Sequence, residues 1–411
     1  MSKVLFIDIW DKGYRNFTRL NSEFNKQGFE TLFVHTGSFL GKLKYTEKIV
    51  DDLVIRDIQF YNTIKLSKVI QIEKPDVIII LTLSFIFDRT IINIAKSNNI
   101  KTVFLAHGKL IDIDSAERAE KELNLVIWKK LSRIFRKKNL YVLLNYYYSL
   151  PHKNKLIIIL KRIISIFRSP ANFLTFPKFT HELDADLLLL YTQEDKELYT
   201  KTFHFSSEKI KVVGNPEVSS FINNSIISKE QYLEGINVSH IHNYVLYLDD
   251  GLVAGKIWTN TEWYNFILDI NKILTDNNYS LIIKLHPRTN YEEHLNFFEN
   301  NRIIALVDVD FNNLIYHSSS VVSHYSTTIT YALIYNKLVL SPRWGISNHF
   351  PLNYPSDIVS YCYLKDDFLE KIKFPLINSD KIEEYLKLNG IDINIDSVKL
   401  IVNEVSKQIY I

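Results

Sequence analysis

Short, largely apolar runs recur along this chain, and stretches with apolar residues at helical spacing lie between them. No other feature restricts its fold as much. Residues 4–9, 31–34, 77–81 and 102–105 are such runs, and 14–26, 61–72 and 88–97 are the amphipathic stretches. An apolar run without polar alternation fits a strand covered on both faces. Strands of that kind alternating with helices predict a parallel sheet joined by right-handed crossovers. The rhythm returns at 185–191, with a helix over 193–200, and at 211–213, which runs into Gly214-Asn215-Pro216. A second series begins near Asn243, with strands expected at 244–248, 281–285, 303–306, 321–322 and 338–340.

A length of 411 residues exceeds one ordinary α/β core and suits two domains of roughly 200 residues each. The reading is a first Rossmann-like domain over 1–228, a second over 229–395, and a final helix over 396–411. The polar stretch 223–242 reads as the linker. The first domain is interrupted over about 123–181, where twelve Lys or Arg occur with no Asp or Glu, in a chain whose net charge is +3. Such asymmetry predicts a basic helical insertion and an anionic surface as its partner. Its apolar pieces, 156–160 and 163–167, are split by Lys161 and Arg162 and fall far short of the ~20 residues that span a bilayer. The single cysteine, Cys362, excludes a disulfide framework and a cysteine-rich metal site. The opening MSKVLFIDIW reads as a buried strand rather than a secretory leader, so a reducing cytoplasmic location is expected.

Four motifs follow expected strands, where open parallel sheets gather ligand-binding groups. Lys284-Leu285-His286-Pro287-Arg288 presents an imidazole and a cation suited to a phosphate or diphosphate. Ser323-His324-Tyr325-Ser326-Thr327-Thr328 places clustered hydroxyls before a helix, as ordinary N-caps or as an anion site. Tyr247-Leu248-Asp249-Asp250-Gly251 reads as a turn, or as carboxylates serving as nucleophile, base or charge stabiliser. Leu105-Ala106-His107-Gly108 ends a strand of the first domain, and His107 is either a structural histidine or a proton acceptor. Walker A, Gly-x-Gly-x-x-Gly and His-Glu-x-x-His patterns are missing from the sequence. Neither a metal nor a nucleic-acid partner is expected.

A Lys-x-His-Pro element followed by hydroxyls at a helix start resembles CMP- and CDP-dependent GT-B glycosyltransferases. These are the bacterial sialyltransferases, the teichoic-acid polymerases related to CDP-glycerol glycerophosphotransferases, and the Kdo transferases of capsule and lipopolysaccharide assembly. The resemblance implies two Rossmann-like domains facing a central cleft, the final helix packing back on the first domain. It implies phosphate binding by His286, Pro287, Ser326 and Thr327, to which their neighbours Lys284, Arg288 and Ser323 are added. Asp249 and Asp250 precede His286 by 37 and 36 residues, whereas sialyltransferases carry their Asp-Asp-Gly in the first domain. That placement is more similar to the retaining β-Kdo transferases, in which an Asp is implicated as nucleophile. His107 becomes the candidate base for the acceptor hydroxyl.

The expected activity is therefore transfer of Kdo or a related ulosonic acid from its CMP-activated form to a bacterial surface glycan or glycolipid. The enzyme would sit peripherally on the inner face of the cytoplasmic membrane, docked through 123–181. A sialyltransferase or a CDP-glycerol-type polyol-phosphate transferase is the same-class alternative. A UDP-sugar 2-epimerase-like isomerase shares the fold, and it would turn over a nucleotide sugar without an acceptor. A catalytically silent scaffold would bind no nucleotide at all.

Overall fold

The structure, a computed structural model, describes all residues except 42, 44, 84, 108–136, 151–154, 169–184, 202–203, 223–224, 256, 346–352, 393 and 411. Of the basic insertion, 123–136, 151–154 and 169–181 lie outside the described residues, as does Gly108. The described chain divides into two compact units, Met1–Ser220 with Asn394–Ile411, and Phe221–Ile393.

Unit 1 runs β1 (Lys3–Asp8), α1 (Arg15–Lys26), β2 (Glu30–His35), β3 (Glu47–Val50), β4 (Leu53–Asp57), α2 (Leu66–Glu73), β5 (Val77–Ile80), α3 (Ile86–Ser97) and β6 (Lys101–Leu105). It continues through α4 (Lys137–Ser149), α5 (Lys155–Arg168), β7 (Leu187–Leu190), α6 (Gln193–Lys201) and β8 (Ile210–Val212). Then α7 (Pro216–Ile222) reaches the boundary of the two units. Unit 2 runs α8 (Lys229–Gly235), β9 (Tyr244–Leu248), α9 (Asn260–Thr275), β10 (Ser280–Lys284), α10 (Tyr291–Asn300), β11 (Ile304–Leu306) and α11 (Phe311–His317). It closes with β12 (Ser320–Val322), α12 (Ile329–Ile334), β13 (Leu338–Pro342), β14 (Ser360–Cys362), α13 (Lys365–Lys373) and α14 (Ser379–Leu388). The last helix, α15 (Ser397–Tyr410), belongs to unit 1.

The eight-stranded sheet of unit 1 has the order β3-β4-β2-β1-β5-β6-β7-β8. Its pairings are parallel except β3 with β4. The six-stranded sheet of unit 2, order β11-β10-β9-β12-β13-β14, is parallel throughout. The apolar runs Val77–Ile80 and Leu187–Leu190 are buried at every residue, as central parallel strands must be. On one face of the first sheet Phe6 stacks on Phe17 at 4.4 Å between ring centres, with Phe24, Phe29 and Phe33 completing the layer. Ile401, Val402 and Val405 of α15 are buried in that same cluster, so the C-terminal helix completes the core of unit 1.

Two differences from the sequence reading have local causes. The β3–β4 hairpin was not foreseen because its turn is Asp51-Asp52, held at φ 50° and 59°. Two consecutive positive φ values make the tight hairpin turn that Asn-Gly usually supplies. The stretch read as a linker contains α8, capped by the Ser228 hydroxyl and tied to the start of α11 by Tyr232 Oη donating to Asp310 O at 2.8 Å.

Candidate functional site

In unit 2 the chain lays down β9, moves outward to β10 and β11, then returns to β12 on the other side of β9. The connections reverse direction at β9, the position where open parallel sheets bind ligands beyond the strand ends. Asp249 and Asp250, the first residues past β9, therefore lie between the loop leaving β10 and the loop leaving β12. Asp249 is buried, its Oδ2 accepting from His286 N–H at 3.1 Å and the Thr289 hydroxyl at 2.6 Å. Its Oδ1 accepts from Gly251 N–H at 2.9 Å. Asp250 turns the other way: Oδ1 accepts from the Ser323 hydroxyl at 3.0 Å and Oδ2 from His324 N–H at 2.9 Å. One carboxylate thus holds each loop. Burial, with the Asp249 charge adding to it and the His324 and Ser323 hydrogen bonds opposing it, pushes the Asp250 pKa up to about 6.

His286 is half-buried, and its Nδ1 accepts from Arg288 N–H at 3.0 Å. The neutral ring therefore carries its proton on Nε2 and can donate from there. Burial, then the Arg288 charge, lowers the His286 pKa against the opposing pull of Asp249. It is a neutral donor near neutrality. Pro287 and Arg288 are exposed beside it. Lys284 turns back to donate to Leu285 O at 3.0 Å, and burial lowers its pKa.

The β12 loop divides its hydroxyls between two tasks. Ser323 is fully buried and holds Asp250, so its hydroxyl is spent on bracing. The Ser326 hydroxyl accepts from Thr328 N–H at 3.2 Å and the Thr328 hydroxyl at 2.7 Å. The helix that follows has only six residues and gains no side-chain cap, so the expected N-cap arrangement is replaced by tight turns. Ser326 is half-buried and Thr327 exposed, and among the described residues neither backbone N–H has an acceptor. Burial and the Asp250 charge raise the Tyr325 pKa, against the opposing pull of Arg288.

Three participants were not singled out from sequence. Thr289 completes the shell of Asp249. His324 is a buried imidazole among Trp258, Phe266 and Tyr247, with ring centres 5.1, 4.8 and 6.1 Å away, and burial lowers its pKa to about 3. Arg343 is buried just past β13 and donates from Nη2 to His324 O at 3.2 Å. A signal existed for it, since Pro342-Arg343 after a strand repeats the Pro287-Arg288 pattern.

In unit 1, His107 stands two residues past β6 and reaches solvent, while partial desolvation and the Arg19 charge lower its pKa. Near it in sheet order is a cluster that sequence reasoning missed. Asp57, His35 and Asp8 end β4, β2 and β1, and Asp88 lies in the first turn of α3 after β5. His35 Nδ1 stands 3.2 Å from Asp57 Oδ2, both residues fully buried. A Cβ on Gly13 would collide with the Asp8 carboxylate. Asp88 accepts from the Thr82 hydroxyl at 2.6 Å and Phe85 N–H at 3.1 Å, and burial pushes its pKa up to about 8. Like the unit 2 site, this cluster gathers where the strand order reverses, between β1 and β5.

No protein-family model and no curated protein matches this sequence. Solved structures do match over the whole chain. The UDP-GlcNAc 2-epimerase from Neisseria meningitidis bound to UDP-GlcNAc is 14% identical, with TM-score 0.53, covering 98% of this chain and 100% of that one. S. aureus MnaA in its co-structure with UDP is 14% identical, with TM-score 0.52, covering 100% and 97%. The Methanocaldococcus jannaschii UDP-GlcNAc 2-epimerase in complex with UDP-GlcNAc and UDP is 13% identical, with TM-score 0.52, covering 99% and 100%. The fold is GT-B-like. This α/β architecture of two largely parallel sheets is the one expected from the sequence. The GT-B-like fold is what the likeness shows at such identities.

Proposed function

We propose that this protein is an enzyme acting on a nucleotide-activated sugar, with the nucleotide phosphate held by the loops after β10 and β12. One observation carries the reading: Asp249 and Asp250 brace the two loops from between, and among the described residues the His286 Nε2–H, the Arg288 guanidinium and the backbone N–H groups of Ser326 and Thr327 are left without an acceptor. A neutral N–H, a guanidinium and backbone N–H groups suit phosphate oxygens, and they stabilise the charge that gathers there as a glycosyl–phosphate bond weakens. Metal chemistry is not part of the proposal.

The first finer reading is a UDP-sugar isomerase of the 2-epimerase kind. Its support is that three structures sharing this fold are described with UDP or UDP-GlcNAc bound. The second reading is transfer of Kdo or a related ulosonic acid from its CMP-activated form to a surface glycan, favoured by Lys284-Leu285-His286-Pro287 with Ser326-Thr327. In that reading Asp249 or Asp250 would work at the anomeric carbon and His107 would take the acceptor's proton. Asp249 and Asp250 also act as positioning residues in either reading.

Incubation with UDP-GlcNAc and, separately, CMP-Kdo separates the two. The isomerase reading expects conversion of UDP-GlcNAc with no acceptor present. Turnover of CMP-Kdo only when a glycan acceptor is added would replace it with the transfer reading. A protein that binds neither UDP nor CMP contradicts both.

A further inference from the structure

We infer that α4 and α5 form a docking surface for an anionic lipid bilayer, which gives the membrane partner read from the basic segment a defined face. The two helices have the reverse of the usual arrangement. Tyr141, Val142 and Tyr146 of α4 are built into the core of unit 1, and the Asn145 side chain accepts from Leu66 N–H at 2.8 Å and donates to Ile64 O at 2.9 Å. The inward face of α5 supplies Ile158 and Ile159 to the same core. Both helices are therefore fixed to the unit by one face.

Their outward faces are apolar as well. On α4 the exposed apolar residues are Leu140, Leu144, Tyr147 and Tyr148, and on α5 they are Leu156, Ile157, Leu160, Ile163 and Ile164. Each set contains positions i, i+4, i+7 and i+8, and Ile157 lies three residues before Leu160 and seven before Ile164, so each is a single stripe along its helix. Leu156 is 78% exposed and Leu160 58%. Lys155 lies over the Tyr147 ring at 3.8 Å, which joins the end of one stripe to the start of the other.

Charge selects the occupant. The span 123–181 holds twelve cations and no acid, so a second copy of this chain would set like charge against like. A polyanionic glycan would satisfy the cations and leave both stripes in water. A bilayer with acidic headgroups meets both demands: the stripes enter the headgroup–acyl boundary and the lysines face phosphate, with tyrosines at the depth they favour. Among the described residues no helix is long and apolar enough to cross a membrane, so α4 and α5 would lie in the interface.

The experiment is sedimentation of the full chain with phosphatidylcholine vesicles, with and without phosphatidylglycerol. The double variant Leu160→Glu/Ile164→Glu and the charge variant Lys155→Glu/Lys161→Glu are compared. Leu160, Lys161 and Ile164 are exposed, Lys155 is partly so, and none of the four belongs to the core cluster of unit 1, and an unchanged melting temperature checks that the variants fold. The parent should sediment with the acidic vesicles, less so as salt rises, and weakly with neutral ones. Each double variant should lose at least about tenfold in partitioning, since one buried leucine or a pair of reversed charges suffices for that. Three results would overturn the inference: no binding to acidic vesicles at low salt, full binding by Leu160→Glu/Ile164→Glu, or a stripe-dependent dimer in place of vesicle binding. None of them depends on nucleotide binding, so the surface and the enzymatic reading fail separately.

Discussion

The ring of His286 lies against the backbone of Gly251: a Cβ built there would stand 2.9 Å from the imidazole Cγ and 3.0 Å from Nδ1. Gly251 also has φ +69°, a conformation that side chains resist. Gly251→Ala should therefore strain the turn and displace the ring. The expected cost is ~1–3 kcal/mol in denaturant-measured stability, together with weaker nucleotide binding. If stability and binding both match the parent, the glycine does not set the position of His286.

Asp249 collects three donors, from Gly251, His286 and Thr289, and removing the carboxylate leaves all three without this acceptor, the Gly251 N–H in a buried position. Asp249→Ala should destabilise by ~1–3 kcal/mol for each donor left unsatisfied. The milder Asp249→Asn should weaken nucleotide affinity as much as it slows turnover, the mark of a positioning residue. Turnover lost with affinity intact would instead place the carboxylate at the reacting carbon.

Asp88 should make stability fall as pH rises. Its folded pKa of about 8 lies above the ordinary aspartate value of 3.8, so the folded state holds a proton that the unfolded state releases. The contribution is fully present below about 4 and is lost as pH climbs through about 8. Asp88→Asn copies the protonated carboxyl, its Oδ1 replacing the acceptor for Thr82 and Phe85. Denaturant unfolding from pH 4 to 9 should show a smaller decline in the variant than in the parent. Equal declines would mean that Asp88 is ionised in the folded protein.

Ile401 of α15 is fully buried against the phenylalanine layer of unit 1. Ile401→Ala should cost about 2–5 kcal/mol, the range for emptying a core isoleucine site. A cost below about 1 kcal/mol, well under that range, would show that the C-terminal helix is dispensable to the unit 1 core.

What could be read in advance follows from how local each signal is. Val77–Ile80 and Leu187–Leu190 declare themselves because a strand covered on both faces needs only apolar residues. The residues after β9, β10 and β12 stand out because polar groups abruptly follow such runs. Their mutual bracing does not, since it depends on β9 lying between β10 and β12, a fact of strand order. Ser323 shows the consequence: a serine that reads as an anion donor is spent on Asp250. The Asp57, His35, Asp8 and Asp88 cluster was illegible for the same reason, its members arriving from three strand ends and the first turn of α3.

The central claim is that the His286 loop holds a nucleotide phosphate, and calorimetric titration of UDP and of CMP into the parent and His286→Ala tests it most directly. The account predicts that the parent binds UDP or CMP and that the variant binds it ~10- to 150-fold more weakly, the equivalent of one charge-assisted hydrogen bond. Equal affinity in the two proteins, or no binding of either nucleotide by the parent, would contradict it.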